Sequence, residues 1–376
     1  MTGVVRSRRV RILLDYRPAL RDRTGVGEYA HQMAVALARQ KGAQDTITLF
    51  SSSWKDRLAS DVVPGATTLD ARIPVSALNF AWHRLGWPDL ELLGAHADAA
   101  WSMHPLLMPS RRAAQVVTIH DLFFLDRPET TVREIRRDYA ALAADHARRA
   151  DGVIVVSEYT RDQVVNRLAV PADRVTVCPN GAPEWTPRDE PSGLGPILHL
   201  GTVEPRKNVG SLIRAYAALV KQSATTPDLV LAGRIDELPS LAADDRALME
   251  TRIHTLGYVT DVERMRLYRE ASMVVIASAD EGFGLPAVEA MALGVPVVAA
   301  DRGALREVVG DAGVLVDPDD TAAFAAAMRR VLEDGSVRRD LTARGVDRSR
   351  TFSWDRSAAK AREALAAAAA RRQGKG

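Results

Sequence analysis

Glu281 and Glu289 stand eight positions apart, with Gly282-Phe283-Gly284-Leu285-Pro286 directly after the first. An apolar run from Met273 to Ala277 stops at Ser278, and a loop then carries Glu281. Pro286 opens a helix, where its fixed φ and missing N–H cost little. That places Glu289 within the first helical turn. Such a helix start offers unpaired N–H groups and partial positive charge, which suits a phosphate. Two acids beside an anion site must face something else. Sugar hydroxyls fit, because one carboxylate accepts both hydrogens of a vicinal diol. Alone, such a pair is ordinarily a capped helix with surface acids, so the surroundings decide.

Three further constellations bear on the chemistry. Gly201-Thr202-Val203-Glu204-Pro205-Arg206-Lys207-Asn208 follows a strand and precedes a helix. Arg206 offers a flat fork of donors and Lys207 a compact charge, together able to balance a departing diphosphate. Thr118-Ile119-His120-Asp121-Leu122 ends another strand, where Asp121 could orient the His120 ring or both could be structural. Thr24-Gly25-Val26-Gly27-Glu28-Tyr29-Ala30 loosely fits G-x-G-x-x-A, which brings an NAD-dependent oxidoreductase into view. Ten residues lead from Asp15 to Gly25, too many for that fingerprint's tight turn, and no acid ends the second strand.

The elements that must position these residues alternate. Strands are expected at Val10–Asp15, Thr46–Phe50, Ala99–Ser102, Gln115–His120, Gly152–Ser157 and Arg174–Cys178, with helices at Glu28–Gln40, Arg133–Ala150 and Thr160–Leu168. After a Pro- and Gly-rich stretch the pattern restarts. Strands are expected at Ile197–Leu200, Leu229–Ala232, Met273–Ala277, Pro296–Ala300 and Val314–Val316. Helices are expected at Val209–Lys221, Asp244–Leu256, Asp261–Ala271, Pro286–Leu293 and Thr321–Glu333. This is an α/β chain of two Rossmann-like, doubly wound parallel sheets, with ligands expected in the cleft beyond the strands' carboxyl ends. The expected domains are 1–186, a hinge linker at 187–196, 197–353, and a tail helix at 354–376 that crosses back to the first domain, with Ser353 as N-cap.

Composition bounds the function. A chain of 376 residues fits two cores, and 47% hydrophobic with 26% charged residues is the balance of a soluble globular protein. A formal net charge of +2 gives no overall drive toward nucleic acid. Arginines cluster in the N-terminal half: Arg6, Arg8 and Arg9; Arg111 and Arg112; Arg133, Arg136 and Arg137; Arg148 and Arg149. They read as solvated surface or as a face for anionic lipid or a phosphorylated acceptor. The one cysteine, Cys178, leaves no internal disulfide and argues against a cysteine-rich metal site. The N-terminus is basic and its apolar run only a strand long, so neither a signal peptide nor a spanning segment is expected. The expectation is a cytoplasmic protein with peripheral contact on the inner face of a membrane.

The Glu281–Glu289 segment resembles the signature of retaining glycosyltransferases of family 4, which have the two-domain GT-B fold. The resemblance extends over nearly the whole chain. Through Arg23 to Tyr29, Ile119 to Leu122 and Gly201 to Asn208 it runs closest to bacterial mannosyltransferase-like members. It implies a hexosyl transfer from a nucleoside-diphosphate sugar, GDP-mannose first, to a glycan or lipid-linked acceptor in polysaccharide biosynthesis. Glu289 would hold the ribose diol and Glu281 the donor hexose, with Gly282, Phe283, Gly284 and Leu285 lining the donor site. Arg206 and Lys207 would contact the phosphates, and His120 would lie by the hexose. At Gly25 and Gly27 a Cβ would obstruct the ligand. The segments Ala232-Gly233-Arg234 and Gly257-Tyr258-Val259 would frame the base, with Arg234 reaching phosphate.

At 301–307 the chain departs from the family's Gly-Gly-x-x-Glu pattern, with Asp301-Arg302 in place of the usual small residues. No Asp-x-Asp stands where a metal would bridge the diphosphate, the nearest acids being Asp317 to Asp320, so no metal or other cofactor is expected. Retention would follow from same-face attack, with the leaving phosphate helping to deprotonate the acceptor. The alternatives are a GT-B-type sugar-nucleotide epimerase or phosphorylase, an oxidoreductase, and a non-catalytic subunit. Loops at Trp82–Trp87 and Met103–Met108 are expected to choose the acceptor.

Overall fold

Short apolar runs such as Gly-Val-Ile-Val at 152–155 and Met-Val-Val-Ile at 273–276 are buried at every position, as strands sandwiched between helices must be. The computed structural model describes residues 10–21, 23, 25–42, 45–126, 139–189, 193–235 and 243–374. Arg6, Arg8, Arg9, Thr24, Arg133, Arg136 and Arg137 lie outside the described residues, as do parts of the expected Arg133–Ala150 helix and of the 187–196 linker. The chain divides into two compact units, Met1–Asn180 with Ser353–Gly376, and Gly181–Phe352.

In the first unit the strands are β1 (Arg11–Asp15), β2 (Thr46–Ser51), β3 (Thr67–Asp70), β4 (Ala99–Ser102), β5 (Ala114–Ile119), β6 (Gly152–Val155) and β7 (Val175–Val177). Its helices are α1 (Val26–Gln40), α2 (Val75–Leu85), α3 (Phe123–Asp126), α4 (Tyr139–Arg149) and α5 (Glu158–Leu168). The sheet is parallel, in the order β3-β2-β1-β4-β5-β6-β7, so the strand order reverses between β1 and β4.

The second unit has β8 (Ile197–Leu200), β9 (Leu229–Ala232), β10 (Ile253–Gly257), β11 (Met273–Ile276), β12 (Val297–Ala300) and β13 (Val314–Val316). Its helices are α6 (Val209–Gln222), α7 (Ala243–Thr251), α8 (Asp261–Glu270), α9 (Leu285–Ala292), α10 (Leu305–Val309), α11 (Thr321–Glu333) and α12 (Gly335–Ser349). The parallel order β10-β9-β8-β11-β12-β13 reverses between β8 and β11.

The last helix, α13 (Trp354–Gln373), packs on α1 and across β4 to β7. Ser353 caps it by accepting the N–H of Arg356, and Arg362 bonds Asp45 at 2.7 Å, fixing the helix within the first unit.

Two expectations need correction. The expected helix Asp244–Leu256 stops at Thr251, and 253–257 form the edge strand β10. Its burial pattern is mostly exposed, so no apolar run announced it. The units part at Asn180/Gly181 rather than within 187–196. Arg188 donates to the carbonyls of Arg269 and Ala271 at 2.8 and 2.6 Å, anchoring the Pro-rich stretch to the end of α8.

Candidate functional site

In the second unit the strand reversal places the β8–α6 loop beside the loop after β11, which is where an open parallel sheet leaves a crevice. Pro205 to Lys207 form one tight turn after β8, ended by Asn208 in the left-handed region (φ 51°). Lys207 Nζ donates to Glu281 Oε1 at 2.5 Å, and Ser278 Oγ donates to the same oxygen at 2.7 Å. Arg206 Nη1 donates to Glu281 Oε2 at 3.1 Å, while its Nε and Nη2 reach Glu204 Oε1 at 3.2 and 2.9 Å. Glu281 is only 6% exposed. Burial alone would raise its pKa, but the charges of Lys207 and Arg206 outweigh that and hold it at about 2. A carboxylate ionised in this way keeps two adjacent cations together against their own repulsion.

Glu281 leads through buried Gly282 and Phe283 to α9. Phe283 packs edge-on against Phe352 at 5.4 Å between centroids. Gly284 precedes the first helical residue with φ 98°, a left-handed backbone that favours glycine. Leu285, rather than Pro286, is the first residue of α9, which puts Glu289 in the second turn instead of the first. Its carboxylate therefore points sideways to α8. It accepts from Arg264 Nη1 at 2.7 Å and from Tyr268 Oη at 2.8 Å. Burial, and then the neighbouring Glu289 charge, push the Tyr268 phenol well above its ordinary pKa.

Arg264 and Tyr268 were missed in the sequence. Their four-residue spacing behind the Thr260–Glu263 capping box was the available signal. Arg234 is exposed, and its carbonyl accepts the N–H of Val203 at 2.7 Å, tying the end of β9 to the Arg206 loop. Among the acids after β13, Asp317 and Asp319 pair with Arg302, and Asp320 caps α11. The departure at Arg302 thus serves this acid cluster.

The first unit presents His120 immediately after β5. Its Nε2 lies 3.0 Å from the carbonyl of Met103, and the Tyr29 ring stands edge-on at 4.8 Å. Burial holds the imidazole below its ordinary pKa. Asp121 accepts the N–H of Phe123 at 3.2 Å, a turn contact. Gly25 sits at the start of α1 with φ 52°, and a Cβ there meets open space, so its constraint is backbone conformation rather than crowding. Gly27 is a buried residue of the first turn of α1 rather than part of a loop.

Sequence reasoning also missed an ion cluster at the β1/β4 reversal. Buried Asp15 accepts from Arg17 Nε at 2.8 Å and Nη2 at 2.7 Å, and His104 Nε2 lies 3.3 Å from it. Of residues 103–108, His104 alone is not buried; Met103, Leu106, Leu107 and Met108 face the core.

Comparison with known proteins agrees along both halves. Residues 23–184 match the family described as Glycosyltransferase Family 4, and 188–348 match Glycosyl transferases group 1. The O-antigen chain mannosyltransferase B of Escherichia coli is 29% identical over 92% of this chain and 97% of its own. The phosphatidyl-myo-inositol mannosyltransferase of Mycolicibacterium smegmatis is 30% identical over 87% of this chain and 86% of its own. The fold is shared with WaaG, a glycosyltransferase involved in lipopolysaccharide biosynthesis (TM-score 0.70, 14% identity, 94% of this chain and 98% of that one). The two parallel Rossmann-like sheets are those of GT-B enzymes, and the chain belongs to the family 4 glycosyltransferases.

Proposed function

We propose that this glycosyltransferase moves a hexose, mannose first, from a nucleoside-diphosphate sugar to a glycan or lipid-linked acceptor, with retention and without a metal ion. The observation that carries the reading is the pair Arg206 and Lys207, held at the β8/β11 reversal by the buried carboxylate of Glu281. Glu281 and Glu204 hold the two cations in place, and their remaining N–H donors suit a diphosphate whose charge grows as the glycosidic bond breaks. Glu289, fixed by Arg264 and Tyr268, is the acid for the ribose diol. Glu281 acts through charge and hydrogen bonds to the hexose rather than as a nucleophile, since both its oxygens already accept from Lys207, Ser278 and Arg206. Attack from the same face, with the leaving phosphate taking the acceptor proton, then gives retention. The pairing of Asp317 and Asp319 with Arg302 supports metal independence. The two mannosyltransferase relatives favour GDP-mannose.

Peripheral contact with the anionic inner face of a membrane belongs to the same reading. Phe80, Leu85 and Trp87, on or just beyond α2, are 64%, 68% and 58% exposed. Residues 71–88 contain Arg72 and Arg84 but no acid. No helix among the described residues is long and apolar enough to cross a membrane.

The test is to incubate the protein with GDP- and UDP-sugars, with and without saccharide acceptors, and to follow nucleoside diphosphate and the anomeric centre by NMR. Retained product with GDP-mannose in the presence of EDTA is expected. A sugar 1-phosphate formed when inorganic phosphate is added would instead mark the phosphorylase alternative, and an inverted ring centre without acceptor the epimerase. A fluorescence titration showing NADH bound at Gly25 to Ala30 would favour the oxidoreductase.

A further inference from the structure

At the β1/β4 reversal of the first unit, each strand delivers one ionisable side chain. Asp15 ends β1, and its buried carboxylate takes two hydrogen bonds from the Arg17 guanidinium and one from the Arg17 backbone N–H. The guanidinium is itself fixed, 4.8 Å above the Trp82 ring and bonded to Asn79 at 2.9 Å, so Asp15 cannot swing. His104 lies two residues past β4. Its Nδ1 accepts the N–H of Leu106 at 3.2 Å, and a neutral imidazole that accepts at Nδ1 carries its proton on Nε2. That nitrogen faces Asp15 at 3.3 Å. Both ring nitrogens are thus engaged in pinning the backbone of 103–106 to the end of β1.

The residue before His104 transmits this. Met103 is fully buried, and its carbonyl lies 3.0 Å from His120 Nε2. A carbonyl can only accept, so His120 carries its proton on Nε2 and has a lone pair on Nδ1. The edge-on Tyr29 ring limits rotation of the imidazole.

We propose that Asp15 and His104 are positioning residues for His120: they fix the Met103 carbonyl, which selects the Nε2–H tautomer and presents Nδ1 as an acceptor for a sugar hydroxyl. This rests on the proposed glycosyl transfer, with His120 as a residue that meets a sugar. It goes further by naming which atom acts, in which form, and what holds it there.

The experiment uses the full chain with 15N-labelled histidine, whose eight imidazoles give long-range spectra that separate the two tautomers. The His120 signals, assigned by their loss in His120→Ala, are expected to show the Nε2–H pattern. In His104→Ala they should move toward a mixture, and kcat should fall on the order of tenfold or more with KM for the nucleotide sugar little changed, as for a misplaced group. His104→Gln, which can still donate to Asp15, should recover most of the rate and the wild-type signals. Equal melting temperatures for the His104 variants and wild type exclude loss of folding as the cause.

An Nδ1–H pattern in the wild type overturns the proposal. So do unmoved His120 signals and rate in His104→Ala. The underlying reading fails separately, if His120→Ala transfers sugar as fast as wild type.

Discussion

The two sheets reverse strand order in the same way, yet the crevices they open are built from opposite materials. At β8/β11 the side chains are charged and bound to each other: Lys207 and Arg206 on Glu281, and Arg264 on Glu289. At the carboxyl ends of β1 and β4 the ion pair of Asp15 with Arg17 is buried, and the half-buried imidazoles of His104 and His120 stand beside it. Burial lowers the pKa of His120, and it lowers those of His83 and His146 to about 4, which keeps these rings neutral near pH 7. On the proposed function, the diphosphate site must hold cations that repel one another, and the acids beside them do so. A site for neutral hydroxyls needs only directional acceptors and a dry wall.

That contrast can be broken experimentally, most forcefully through Lys207. Lys207→Ala should lower kcat on the order of a hundredfold, as for one lost donor to developing charge. An unchanged kcat in steady-state assays would mean the cations serve the fold alone. Glu289→Ala should weaken nucleoside diphosphate binding about tenfold, the effect of losing charge-assisted bonds to a ribose, as read by calorimetry. Unaltered binding would remove the ribose role.

Acid sharpens the comparison further. Glu281 titrates at about 2 in the folded chain, below its ordinary 4.5, so its stabilisation is complete above pH 4.5 and lost as pH falls toward 2. His83 and His146 resist protonation when folded, so they cost stability as pH falls from 6.5 toward 4. Burial holds His199 of the second unit at about 4 as well, so urea unfolding followed by a probe in each unit should show both weakening below pH 6.5, the first unit, with two such histidines, by the larger amount. Coincident pH dependence would refute the contrast.

The smallest effect on the fold is expected from Phe80→Ser, Leu85→Ser and Trp87→Ser combined. Stability should change by no more than about 0.5 kcal/mol per exposed position, while flotation with anionic vesicles is lost. Retained flotation would place the lipid contact elsewhere.

Central elements were legible because their residues repeat the signal. The strands β9 and β11 fall where the apolar runs predicted them, since a strand buried on both faces must be apolar throughout. Of the edge strands β3, β7, β10 and β13, the apolar β7 and β13 were read and β3 and β10 were not. These two are half exposed and largely polar, so Thr67–Asp70 and Ile253–Gly257 carry no run to find. The site divides the same way. Arg206, Lys207, Glu281 and Glu289 stand in compact motifs, whereas Arg264, Tyr268, Asp15 and His104 act through partners distant in the chain.

Residue order by itself therefore determined the two parallel sheets, the loops that end their strands and the family they belong to, because apolar period and local turn chemistry are written in neighbouring residues. Tertiary structure alone decided that Glu281 faces two cations, that Glu289 faces α8, and that Met103 turns its carbonyl to His120. Those contacts join separate strands and helices, and their electrostatics depend on burial, which no linear spacing records.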